Sequence, residues 1–217
     1  MDLPDSNSQS SIARLRLPGS RTLWLRGFII VSVLSILAVR VLRHSRAQSM
    51  ALTLMPGAEY IASPNCDDRS GNAPVSCIVL HATVEPTTEG TERIFLDRAR
   101  KVSAHFVVGK DGKIVQMVPL EKRAWHAGTS VFDGVKRVND YSVGIEIVNF
   151  NDGQDPYTEP QYRAVADIIR FVRTRYDVPD ARIVSHAQIA LPPGRKSDPV
   201  GLDFDRVRAL AKQPAHD

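Results

Sequence analysis

Between residues 76 and 185 the chain repeats one pattern: a short β-branched apolar run, closed at each end by polar residues or glycine. Five such runs read as strands, at 76–81, 105–108, 113–118, 143–149 and 182–185. Asp111-Gly112 between the second and third predicts a tight hairpin with a primed turn, because glycine reaches positive φ at low cost. The period then changes. Tyr162, Val165, Ile169, Val172 and Tyr176 recur at steps of three and four, which predicts a helix over 159–176. Thr158 and Gln161 are spaced as a capping box, with Pro160 in the tolerant first turn. Weaker helical patterns cover 91–100 and 204–212. Strands interleaved with helices, plus one hairpin, predict an α/β fold: a single domain with a central mixed β-sheet flanked by helices. Residues 50–71 show no sustained periodicity and read as a lead-in wrapped over the domain surface.

A different pattern precedes this. Residues 27–39 carry no charge, with Arg21 and Arg26 before them and Arg40, Arg43 and Arg46 after. A positive region followed by an apolar run of this length is the pattern of an export signal, and Ser45 and Ala47 supply small residues for cleavage after Ala47. The alternative is a retained anchor, in which residues 23–42 approach the roughly 20 needed to span a bilayer and form an inner-membrane tether. No Cys follows the run, which excludes a bacterial lipoprotein anchor. The expected divisions are therefore an N-terminal hydrophobic export or anchor segment at 1–47, a lead-in at 48–62, the folded domain at 63–212 and a tail at 213–217.

Composition narrows the class without changing it. Of 217 residues, 43% are hydrophobic and 24% charged, which excludes a collagen-like, coiled-coil or wholly disordered chain. The net charge of +4 suggests nucleic acid until it is located. Residues 1–47 hold seven Arg and two Asp, and the remainder is close to neutral, so no nucleic-acid partner is expected. Cys66 and Cys77 lack CxxC pairing; one bridge or two free thiols both remain open.

Candidate chemistry sits at strand ends. His81 closes the run 78–80 and His186 closes 183–185, the places where ligands bind in open α/β sheets. The loop 193–199 is able to return Asp198 to the same rim. Two neutral imidazoles and one carboxylate, with a fourth position for water, make a catalytic zinc set. Glu146 lies mid-strand between Ile145 and Ile147, so alternation turns it to the opposite face from them. Facing a cleft, it becomes a general base. Lys196 stands two residues before Asp198 and shares its side of an extended loop, where a cation can meet a developing oxyanion.

In order along the chain come Ile78-Val-Leu-His-Ala-Thr83, Val102-Ser-Ala-His-Phe-Val-Val108, Arg123-Ala-Trp-His-Ala-Gly128, Tyr141-Ser-Val-Gly-Ile-Glu-Ile-Val-Asn149, Ser185-His186 and Pro193-Gly-Arg-Lys-Ser-Asp-Pro199. This series resembles the zinc-dependent N-acetylmuramoyl-L-alanine amidases of the type-2 amidase and peptidoglycan-recognition-protein superfamily, over roughly residues 63–210. The resemblance implies hydrolysis of the amide between N-acetylmuramic acid and the L-alanine of the stem peptide, with peptidoglycan or muropeptides as partners. It places Zn2+ on His81, His186 and Asp198, catalysis on Glu146, and oxyanion stabilisation on Lys196. It also makes His105 and His126 cleft-lining substrate contacts rather than ligands, with Arg123 and Asn149 as further candidates. A monomer exported to the periplasm or cell envelope is expected. The alternative is a peptidoglycan-binding module without catalysis, which the intact ligand set disfavours.

Overall fold

Six strands form the central sheet of the computed structural model, which describes residues 52–70 and 74–214. In spatial order they are β1 (Glu59–Tyr60), β5 (Ile114–Gln116), β4 (Phe106–Val108), β9 (Ser142–Ile147), β3 (Cys77–Ala82) and β10 (Ile183–Ser185). The run from β4 through β9 and β3 to β10 is parallel, β1 is parallel to β5, and only β4 and β5 are antiparallel. The sheet is thus mixed, as expected. All six residues of β3 are buried, which matches the continuous apolar character of parallel strands covered on both faces.

One face of the sheet carries Ile78, Leu80, Phe106, Val143, Ile145, Ile147 and Ile183, each inaccessible to solvent. Against them lie α2 (Glu159–Arg173) and α4 (Phe204–Ala211), through Val165, Ile168, Ile169, Val172 and Val207. Helix α2 starts as its sequence predicts: the Thr158 side chain accepts from Gln161 N–H, and Gln161 Oε1 accepts from Thr158 N–H at 3.0 Å. Burying each such aliphatic side chain contributes about 1.5–3 kcal/mol. The opposite face meets α1 (Thr88–Leu96) through Phe95 and Val107, and carries a second cluster built on Val79, Val184 and Ile189.

Several expectations change. The hairpin between β4 and β5 closes through residues 110–112: Gly112 N–H donates to Gly109 O, Gly109 N–H donates to Lys113 O, and only Gly112 has positive φ, at 85°. That is a three-residue loop with a left-handed glycine, not a two-residue primed turn, because Asp111 stays at negative φ and its side chain accepts from Lys113 N–H. The lead-in is part of the fold. Strand β1 extends the sheet, and β2 (Cys66–Asp68) pairs antiparallel with β6 (Lys122–Ala124). A further ribbon joins β7 (Val131–Phe132) to β8 (Val135–Lys136). β2 and β6 carry charged residues in place of an apolar run, and β1, β7 and β8 have two residues each. Cys66 and Cys77 are free thiols, and burial pushes that of Cys77 up to about 12.

The apolar segment at 23–42 and the boundary at 47 lie outside the described residues. Among the described residues no helix is long and apolar enough to cross a membrane.

Truncating the sheet at a fully enclosed position tests this packing. Ile145→Ala is expected to lower stability by about 2–5 kcal/mol, seen as a lower urea midpoint with an unchanged slope. A shift of a few tenths would mean that Ile145 is not enclosed.

Candidate metal centre

Strand register brings the first two candidates together. In the β3·β9 pair, His81 lies opposite Glu146 at the carboxyl ends of two parallel strands. On the other side of β3, β10 pairs Ser185 with Leu80, so its next residue arrives level with His81. There the chain turns into α3 (His186–Ile189), whose start is set by a capping box. Ser185 Oγ accepts from Gln188 N–H at 3.1 Å, and Gln188 Oε1 accepts from Ser185 N–H at 2.8 Å. Ala187 N–H then donates to Asp198 O at 3.0 Å, tying the loop back to the head of α3.

The consequence is a tight triangle of donor atoms. His81 Nδ1 is 3.0 Å from His186 Nδ1 and 3.3 Å from Asp198 Oδ2, and His186 Nδ1 is 3.1 Å from the same oxygen. All three residues are buried, with 1%, 4% and 7% of their surface exposed. Four ligands held tetrahedrally at about 2.0–2.1 Å from zinc stand about 3.3 Å apart. Two imidazole nitrogens and a carboxylate oxygen at these separations therefore fit one such cation, and they are the group of three among the described residues able to hold a metal.

Charge follows burial. Desolvation brings His81 down to about 4, so the ring is neutral and has a lone pair to give. Burial pushes the Asp198 carboxyl up, but the imidazoles of His186 and His81 set against it outweigh that and hold the group below the usual carboxylate range. Glu146 is the opposite case: burial, aided by the negative charge of Asp198, raises it to about 8 against the pull of Lys196. Its Oε2 is buried without a hydrogen-bond partner. Lys196 is exposed on the loop before Asp198, close enough for its charge to act on both Glu146 and His81.

The four expected substrate contacts sit elsewhere or are engaged. His105 is fully buried, accepting from Gly144 N–H at Nδ1 and placing Nε2 3.1 Å from Lys122 O. His126 is 5% exposed, with Nδ1 3.0 Å from His81 Nε2 and Nε2 3.1 Å from Ser142 Oγ. Both nitrogens of each ring are engaged, His126 standing against His81 and His105 against His126. Arg123 holds Asp67 through two nitrogens and Asp140 through the third, so its guanidinium staples β2 to β6 and to the segment before β9. Asn149 braces its own loop, donating to Asp155 O at 2.7 Å and accepting from Asn151 N–H at 2.7 Å. Sequence reasoning passed over Ser142 and Gly144, which share a strand face with Glu146 at a spacing of two. A glycine inside an apolar strand run was the available signal, since it marks close approach of another group.

Residues 71–201 match the profile of a family described as N-acetylmuramoyl-L-alanine amidase. The chain is 36% identical to the 1,6-anhydro-N-acetylmuramyl-L-alanine amidase AmpD of Salmonella typhimurium (strain SL1344), over 73% of this chain and 92% of that one. It is 43% identical to AmpD of Citrobacter freundii over 54% of this chain, a match spanning 60% of that protein's length. A solved AmpD structure superposes with a TM-score of 0.65 at 32% identity, covering 74% of this chain and 99% of that one.

The raised Glu146 carboxyl makes stability depend on pH in a known direction. In chelator-treated protein its stabilising share, relative to a residue that cannot ionise, is complete below about 4.5 and is lost as pH rises through about 8. Glu146→Gln is therefore expected to gain in melting temperature over wild type progressively from pH 5 to pH 8. A difference that stays flat across this window would contradict the burial of Glu146.

Proposed function

The chain belongs to the N-acetylmuramoyl-L-alanine amidase family, and we propose that His81, His186 and Asp198 hold its zinc, with Glu146 as general base and Lys196 as the cation for the developing oxyanion. The reaction is hydrolysis of the amide joining N-acetylmuramic acid to the L-alanine of the stem peptide. The observation that carries this reading is the triangle of three buried donor atoms, 3.0–3.3 Å apart, with Glu146 beside His81 in register.

Zinc in such a site supplies Lewis acidity, polarising the amide carbonyl and acidifying water. The protein's own groups do the rest. Glu146 offers Oε2, which has no other partner, to the attacking water and takes its proton. The same carboxyl then returns that proton to the leaving L-alanine nitrogen. The Lys196 ammonium, on the exposed rim, faces charge as it forms on the carbonyl oxygen.

Both AmpD relatives are named for the 1,6-anhydro form of the muramyl group. A soluble anhydro-muropeptide is accordingly the substrate we propose. Export, or anchoring through residues 23–42, is supported by the arginine-flanked apolar run and by its cleavage-like flank at Ser45 and Ala47.

Release of N-terminal L-alanine from an anhydro-muropeptide measures the reaction directly. Glu146→Ala is expected to keep stoichiometric zinc and lose about 10²- to 10⁴-fold in turnover, and Lys196→Met about 10²- to 10³-fold. Chelation is expected to abolish release and added zinc to restore it. Full activity in Glu146→Ala would overturn the assignment.

A further inference from the structure

Behind His81 the protons have only one self-consistent arrangement. Ser142 Oγ is 2.7 Å from Val138 O and 3.1 Å from His126 Nε2. A carbonyl has no proton to give, so the Ser142 hydroxyl donates to Val138 O and accepts from His126 Nε2–H. His126 is buried, and among the described residues its side-chain nitrogens bond Ser142 and His81 alone. Among the described residues no carboxylate hydrogen-bonds the ring to support a second proton, so His126 Nδ1 is an acceptor. At 3.0 Å it receives the Nε2–H of His81. The lone pair of His81 is then on Nδ1, the atom that faces His186 and Asp198.

We propose that His126 and Ser142 are positioning residues, which hold His81 in its Nε2–H form and aim its Nδ1 lone pair at the metal. The proposal rests on the reading of His81 as a ligand. An imidazole with its proton on the other nitrogen has nothing to offer from Nδ1, and donation from Nε2 also raises the basicity of the ligating nitrogen. His186 has no comparable support, since its Nε2 is buried without a partner. Orientation is thus supplied to one histidine of the pair.

Two backbone features make room for this chain and keep it still. A Cβ at Gly144 would stand 2.5 Å from Cγ of His126, so only glycine lets the ring lie on β9. Gly144 is itself clamped from beneath: its N–H donates to His105 Nδ1, and its carbonyl accepts from His105 N–H, both at 3.0 Å. At the other end, Asn139 Oδ1 accepts from the N–H groups of His126 and Ala127 at 3.1 and 2.8 Å, fixing the backbone that carries the ring. His105 and Gly144 act here on His126, not on substrate.

The test uses the zinc-loaded full chain, with zinc affinity read by chelator competition and the His81 protonation site read by nitrogen-15 NMR of the ring. His126→Phe keeps a ring and removes the acceptor; it is expected to weaken zinc about 10- to 100-fold. Ser142→Ala removes only the last hydroxyl, and Gly144→Ala displaces the His126 ring with no polar group changed. Both are expected to weaken zinc in the same direction, with cooperative melting retained. Wild type is expected to show the His81 proton on Nε2. If His126→Phe does not fold, Ser142→Ala carries the test. Unchanged affinity in the folded variants, or wild-type His81 bound through Nε2, would overturn the chain while leaving the ligand assignment intact. Zinc retained at full affinity by His81→Ala would overturn that assignment as well.

Discussion

The register of β3 against β9 is the constraint on which the site depends. It sets His81 beside Glu146 and, two residues back on the same face, Val79 beside Gly144. A slip of one residue would turn every side chain of one strand to the other face. It would place Leu80 at the site and His81 among the isoleucines under α2. What prevents this is apolar packing on the face that does no chemistry: Ile78, Leu80, Val143, Ile145 and Ile147 fit beneath Val165, Ile168, Ile169 and Val172. The register is therefore specified by hydrophobic contacts and used by polar ones.

Burying four imidazoles behind and beside a carboxylate carries a desolvation cost that the structure offsets largely bond by bond. His105 is met by backbone at both nitrogens, and His126 by Ser142 and His81. The unpartnered buried atoms of the site are His186 Nε2 and Glu146 Oε2. Both belong to the residues assigned to the reaction, and the polar groups behind them are satisfied. Two of the four buried side-chain atoms left without a partner among the described residues thus lie where a substrate, a water or a metal's second shell is able to use them.

Elements with an apolar run or a helical period were legible in the chain. The five apolar runs match β3, β4, β5, β9 and β10 to within two residues at either end, and the three-and-four pattern ends three residues beyond α2 because Thr174 already caps it. Thr158 and Gln161 identified the helix start through a bond that is entirely local. What escaped was short: β1, β7 and β8 have two residues each, and α3 has four. Such pieces are stabilised by the partner they meet, and that partner is distant in sequence.

The same division holds at the site. Residue identity alone determined which groups are able to act: imidazoles at the ends of apolar runs, a carboxylate in mid-strand, a lysine two residues before an aspartate. Strand alternation was enough to turn Glu146 away from its isoleucine neighbours. Only the tertiary structure decided which groups each histidine meets. His81 meets His186 across 105 residues and His126 across 45, while Asp198 returns over 12 residues through a loop pinned to the head of α3. Arg123 and Asn149, plausible as substrate contacts by position, were claimed by Asp67, Asp140 and the loop around Asp155. A side chain's chemistry is intrinsic, but its free valences are those left over once packing has assigned its neighbours, and no spacing along the chain records that remainder.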